Sequence, residues 1–166
     1  FVIPDYHLWT NKERYYNHGQ CIHPDSKLLV SYRFPVELIR IHSQKDYIVL
    51  DYFDILGTPF SYADGRIKGY FRTAGCLAIM VAYLLGASQI YIVGMDGFTL
   101  HKKADIMSGT KNQHCYGTGH TDDYSWTDSI KKDNTIYNVL KSIKDYGINF
   151  KIITPTKYSY FYSNEL

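Results

Sequence analysis

Long hydrophobic runs, an excess of charge and a pairable set of cysteines are all missing from this chain of 166 residues. The longest unbroken apolar stretch, Cys76 to Leu85, is ten residues. A bilayer-crossing helix needs about 20, so no transmembrane segment is expected. The formal charge is +2, from 18 Lys and Arg against 16 Asp and Glu. That balance gives none of the concentrated basic surface that nucleic-acid binders carry, so no nucleic-acid partner is expected. Cys21, Cys76 and Cys115 cannot pair completely and lack metal-ligand spacing, which excludes a disulfide scaffold and fits a reducing cytoplasm. There is no internal repeat and no low-complexity tract. The chain also lacks an initiator Met and a secretory leader, since Phe1-Val2-Ile3 runs at once into Pro4-Asp5. It therefore reads as a fragment or an excised C-terminal domain whose first βα unit lies upstream.

What is present points to one folded α/β domain over residues 1–166. Apolar residues make up 45%, which excludes a disordered chain, and the length suffices for a single core. The most informative run is Phe71 to Gly97. Thr73 to Leu85 is apolar almost all the way round at helical length and reads as a buried helix. Gly86 supplies a left-handed stop, and Ile90 to Val93 is a β-branched and aromatic burst of strand length that reads as a buried strand. Gly94-Met95-Asp96-Gly97 then lets the chain turn sharply beside one carboxylate.

Elsewhere, Lys27 to Ser31 and Asp46 to Asp51 read as strands, and Pro35 to His42 as a short helix with Pro near its start. Tyr6 to Trp9 continues or follows a first strand at Phe1 to Ile3. Thr10 is a candidate N-cap for a helix over Asn11 to Asn17, with Glu13 in the capping-box position. Asp54 to Gly69, with Gly57, Pro59 and Gly65, reads as loop. Thr99 to Ser125 is polar and without period, and is expected to act as a mobile lid. Ser125 to Asp128 resembles a capping box. The helix after it places Trp126, Ile130, Tyr137, Leu140 and Ile143 on one face; Gly147 ends it, and Phe150 to Ile153 is the last strand. Strand and helix alternate, which implies a Rossmann-like, doubly wound, mostly parallel sheet with helices on both faces. Ligands of such sheets sit beyond the carboxyl ends of the strands.

Three groups of residues could carry chemistry. Arg72, Thr73 and Gly75 open the apolar helix, where free N–H groups and the helix dipole favour an anion; the structural alternative is a simple N-cap at Thr73. Gly94 and Asp96 form the strand tip. Asp96 could hold a ribose hydroxyl, a metal or a sugar, or merely bond its own turn. Tyr116-Gly117-Thr118-Gly119-His120 offers a histidine between small residues, suited to a general base or simply solvated. His114-Cys115 lacks the further ligands of a zinc site.

The order Arg72-Thr73-Ala74-Gly75, apolar helix, Leu85-Gly86-Ala87, Ile90-Tyr91-Ile92-Val93-Gly94-Met95-Asp96 resembles the core of bacterial lipooligosaccharide sialyltransferases. It also resembles the wider group of motility-associated flagellin glycosylation proteins and hydroxymethylpterin diphosphokinases. Tyr116 to Thr121 resembles the Tyr-x-Gly-His segment of the sialyltransferases, and Tyr6 to Arg14 a segment after their second strand. The resemblance implies His120 as catalytic base. It sets Arg72, Thr73 and Gly75 by the donor phosphate, and Gly94, Asp96 and Tyr116 around the nucleotide. Ala74 stands where those enzymes carry a serine, and Phe98 stands near the site of their phosphate-binding tyrosines. Their amino-terminal Gly-x-Gly-Pro-Ser turn has no counterpart here.

The expected function is therefore a metal-independent, sialyltransferase-like glycosyltransferase domain of bacterial surface-polysaccharide (lipopolysaccharide) synthesis. It would work in the cytoplasm or peripheral to the inner membrane, with a nucleotide-sugar co-substrate, a glycan acceptor and no resident cofactor. Two alternatives stand beside it. One is a non-catalytic nucleotide- or sugar-binding or assembly module attached to another enzyme, for example an aldolase-like one. The other is a diphosphokinase-like enzyme, which would need magnesium held by Asp96 and the Asp122-Asp123 pair.

Overall fold

The computed structural model describes residues 3–101, 103–108 and 125–165. The protein is mixed α/β with small parallel and mixed sheets. The chain divides into two compact units, Phe1–Tyr70 and Phe71–Leu166.

In the first unit β1 (Tyr6–Trp9), β2 (Lys27–Ser31) and β3 (Tyr47–Leu50) form a parallel sheet in chain order. Parallel neighbours need crossovers, supplied by α1 (Lys12–His18) and α2 (Val36–Arg40). His7 pairs with Leu28 and Trp9 with Val30. Tyr15, Phe34 and Ile39 close a core over Leu28 and Val30, with Trp9 packed against it. Tyr15 is fully buried, and its hydroxyl donates to the Ile39 carbonyl at 2.8 Å, tying α1 to α2. The N-cap of α1 is Asn11, whose side chain accepts the Arg14 N–H at 2.9 Å, and not Thr10. Either residue type suits the position, and the helix simply begins one residue later than its sequence signature indicates.

Residues 54–69 are not all loop. They complete β4 (Tyr52–Asp54) and contain β5 (Ser61–Ala63) and β6 (Arg66–Gly69). β5 and β6 form an antiparallel hairpin, and β4 runs parallel to β6. The two-residue tip Asp64-Gly65 has positive φ at both positions, 53° and 74°. An Asp-Gly pair is what a hairpin of this kind demands. The strands are too short for their alternation to stand out from the Gly and Pro around them.

The second unit contains α3 (Ala74–Leu84), β7 (Ile90–Ile92), α4 (Lys103–Met107), α5 (Trp126–Asp145) and β8 (Phe150–Ile152). β7 and β8 are parallel, with Ile90 opposite Phe150 and Ile92 opposite Ile152, and α5 lies in their crossover. Gly86 and Gly147, at φ 97° and 99°, follow the two long helices as expected. Ser125 caps α5 as expected, accepting the Asp128 N–H at 3.1 Å. Leu77, Ile79 and Met80 of α3 and Ile136, Leu140 and Ile143 of α5 are buried with Phe150 and Ile152.

Several expectations are corrected here. α3 is not buried all round: Ala74, Gly75 and Ala78 are exposed. β7 is not a buried strand, since Tyr91 is 46% and the adjoining Val93 69% exposed. Its only strand neighbour among the described residues is β8, so its composition reports strand propensity rather than depth. The inward stripe of α5 runs Ser129, Asp133, Ile136, Leu140, Ile143, leaving Ile130 41% and Tyr137 37% exposed. The reading by hydrophobicity alone passed over Asp133. α4 occupies part of the span expected to lack structure, while residues 109–124, the bulk of the expected lid, lie outside the described residues.

Candidate functional site

The second unit holds a cavity of about 730 Å³ that runs along β7 and the turn leaving its carboxyl end. One wall is the exposed small-residue side of α3, from Thr73 and Gly75 through Ala78 to Ala82. The other is β7 and the turn that leaves it, Ile90 to Phe98. Among the described residues, Asp96 is the one charged residue of this lining.

Thr73 is the N-cap of α3, its hydroxyl oxygen accepting the Cys76 N–H at 3.3 Å. Ala74 and Gly75, next in the chain, are exposed and belong to the first turn, whose N–H groups have no intrahelical acceptor. The capping role and an open helix start therefore coexist. Arg72 adjoins the cavity without lining it; it is exposed, and its backbone is left-handed at φ 60°, a conformation that costs a non-glycine residue about 1–3 kcal/mol.

The strand tip is built by other residues than those the sequence singled out. The Gly94 N–H donates to Thr154 Oγ1 at 3.0 Å, and the Thr156 hydroxyl donates to the Met95 carbonyl at 2.7 Å. The Lys157 N–H donates to the Asp96 carbonyl at 2.7 Å. Beyond the tip, Asp133 of α5 accepts the Phe98 N–H at Oδ1 and the Thr99 N–H at Oδ2, each at 2.8 Å. It also accepts the Thr99 hydroxyl at 2.6 Å and the Tyr158 hydroxyl at 2.9 Å. Burial, and then the neighbouring Asp133 carboxylate, hold the Tyr158 phenol well above its ordinary pKa. The Asp96 side chain takes no part in this network. It is exposed and makes no hydrogen bond or ion pair with a described residue, so it does not shape its own turn.

Thr73, Gly75, Gly94 and Asp96 thus border one cavity, with Arg72 beside it. Tyr116 and His120 lie outside the described residues. Sequence reasoning missed Asp133 and Tyr158. The available signal was the spacing 129, 133, 136, 140, 143, which is a helical stripe only if Asp133 is admitted to the inward face. Among the described residues no group of His, Cys, Asp and Glu is arranged to hold a metal ion, and no helix is long and apolar enough to cross a membrane. Comparison of the chain with protein-family models, with curated proteins and with solved structures returns no match.

Proposed function

We propose that the second unit binds a nucleotide-sugar and serves as a sialyltransferase-like glycosyltransferase domain, built on a Rossmann-like, doubly wound plan. One observation carries this reading: an open helix start (Thr73, Gly75) and a strand tip with an unpartnered carboxylate (Gly94, Asp96) border the same cavity. In α/β sheets that is where nucleotides sit. A helix terminus gives an exposed anion only about 0.3–1 kcal/mol, too little to hold a phosphate alone. The apolar wall of Ala78, Ala82 and Ile92, against which a nucleoside can lie, and a cation from Arg72, two residues ahead of the first helical residue, supply the remainder. Asp96 then accepts hydrogen bonds from hydroxyl or amino groups of the ligand.

In the transfer itself, the acceptor hydroxyl oxygen attacks the anomeric carbon of the donor. The bond from that carbon to the phosphate oxygen breaks, and its electron pair leaves with the phosphate at the helix start. The hydroxyl proton passes to His120, a role worth about 10²–10⁴-fold in rate. The test is donor binding and turnover by a His120→Ala variant across a panel of nucleotide-sugars. Retained binding with collapsed turnover supports the transferase. Unchanged turnover removes His120 from the mechanism.

A second reading, the non-catalytic binding or assembly module, has its own support. β7 has β8 as its only strand neighbour among the described residues, and Tyr91 and Val93 stand out from it into solvent. Nucleotide binding without turnover in both wild type and variant favours the module.

A further inference from the structure

We propose that Asp133 is the positioning residue of this cavity: by accepting the N–H groups of Phe98 and Thr99, its carboxylate fixes the turn from Gly94 to Phe98 in the shape that presents Asp96 to a ligand. The proposal rests on the nucleotide-binding reading above.

Asp133 is only 4% exposed and has no ion-pair partner among the described residues. A buried carboxylate without a counter-ion is costly unless its lone pairs are satisfied. Here each oxygen takes two donors: Oδ1 the Phe98 amide and the Tyr158 hydroxyl, Oδ2 the Thr99 amide and hydroxyl. An α5 that only needed packing could carry an aliphatic residue at this position. What the carboxylate provides instead is a matched acceptor for two successive amides of the turn.

The fit is close. Gly97, at φ 88°, turns the chain onto the carboxylate, and a Cβ there would lie 3.2 Å from Asp133 Oδ1 and 2.9 Å from Lys157 Cβ. From the other side, Thr156 and Lys157 hold the carbonyls of Met95 and Asp96. The turn is thus gripped at both ends, and the Asp96 carboxylate between the grips stays available. Asparagine cannot replace the clamp. Whichever way its amide is turned, the NH₂ group faces either the Phe98 or the Thr99 N–H, donor against donor.

The test uses the whole chain and Asp133→Asn, with CMP as probe. Amide hydrogen exchange is read at residues 94–99, with α3 and β8 as internal reference. The proposal expects exchange at Phe98 or Thr99 to rise about tenfold or more, the scale of one lost charge-assisted hydrogen bond. It expects CMP affinity to weaken by a similar factor, with α3 and β8 still protected. Uniformly faster exchange with unchanged CMP affinity would mean that Asp133 is structural only and would overturn it. If the variant does not fold, wild-type exchange decides. Phe98 and Thr99 amides protected like those of β8, and protected further by CMP, support the clamp; exchange as fast as in an open loop refutes it. If none of CMP, UMP, AMP and GMP binds the wild type, the nucleotide reading fails, and the exchange of the variant still decides whether Asp133 fixes the turn.

Discussion

The Tyr158 hydroxyl donates to Asp133 Oδ1 at 2.9 Å, with both side chains buried in the second unit. Deprotonating the phenol would set a second anion against the carboxylate, and burial already holds the Tyr158 pKa above its ordinary value. The unfolded chain loses the proton near pH 10 while the folded chain keeps it, so this contribution is complete below about pH 10 and is lost as pH rises beyond it. Thermal melts between pH 8 and 11 should show stability falling at the alkaline end, and less steeply in Tyr158→Phe. Near neutral pH the same variant should be less stable by about 1.5–3 kcal/mol, for one hydrogen bond to a charged acceptor. Parallel alkaline curves for the two proteins would contradict the assignment.

Gly97 and Gly94 both have positive φ, 88° and 72°. A Cβ at Gly97 meets Lys157, Asp133 and Tyr158, whereas a Cβ at Gly94 meets nothing within 4 Å. Gly94→Ala should therefore cost only the backbone strain, about 1–2 kcal/mol. Gly97→Ala should cost more, by a further 1–3 kcal/mol or so for overpacking. Urea denaturation of the two variants checks the order; equal costs would mean that the turn does not press on Asp133.

At the first helix, Asn11→Ala should lose about 0.5–2 kcal/mol, the value of an N-cap. Thr10→Ala should change little, because the Arg14 N–H is taken by Asn11. The same melts distinguish them, and a reversed ranking would restore Thr10 as the cap.

His7 Nδ1 and Trp9 Nε1 are buried without a hydrogen-bond partner among the described residues. Burial lowers the His7 pKa. The folded chain therefore resists a proton that the unfolded chain binds near pH 6.5. This contribution is present above that pH and is lost as pH falls through it. His7→Phe should flatten the acid side of the stability profile between pH 7.5 and 5. An unchanged acid slope would place the imidazole in contact with water.

Much of the second unit was legible because its signals are strong and local. An apolar run stopped by Gly86, a β-branched burst and a 20-residue helix opened by Ser125 each declare themselves in the sequence. Strands of three or four residues, such as β5 and β6, carry too few positions for a period, and the Asp64-Gly65 turn signal was outweighed by Gly57 and Pro59. Of the residues bordering the candidate cavity, Thr73, Gly75, Gly94 and Asp96 are picked out in the sequence by their place beside a helix start and a strand end. Asp133 could not be found by hydrophobic pattern, because its inward position depends on donors 34 and 35 residues away in the chain.

The cavity between α3 and the strand tip is proposed to take a nucleotide. The most direct measurement is a titration of the isotope-labelled chain with CMP, followed by backbone amide resonances. Nucleotide in this cavity should give saturable shifts concentrated at Thr73, Ala74, Gly75 and Gly94 to Gly97, abolished in a Gly75→Leu variant that fills the helix start. Shifts that are absent at millimolar CMP and equally with UMP, AMP and GMP, or that gather away from these residues, would contradict it.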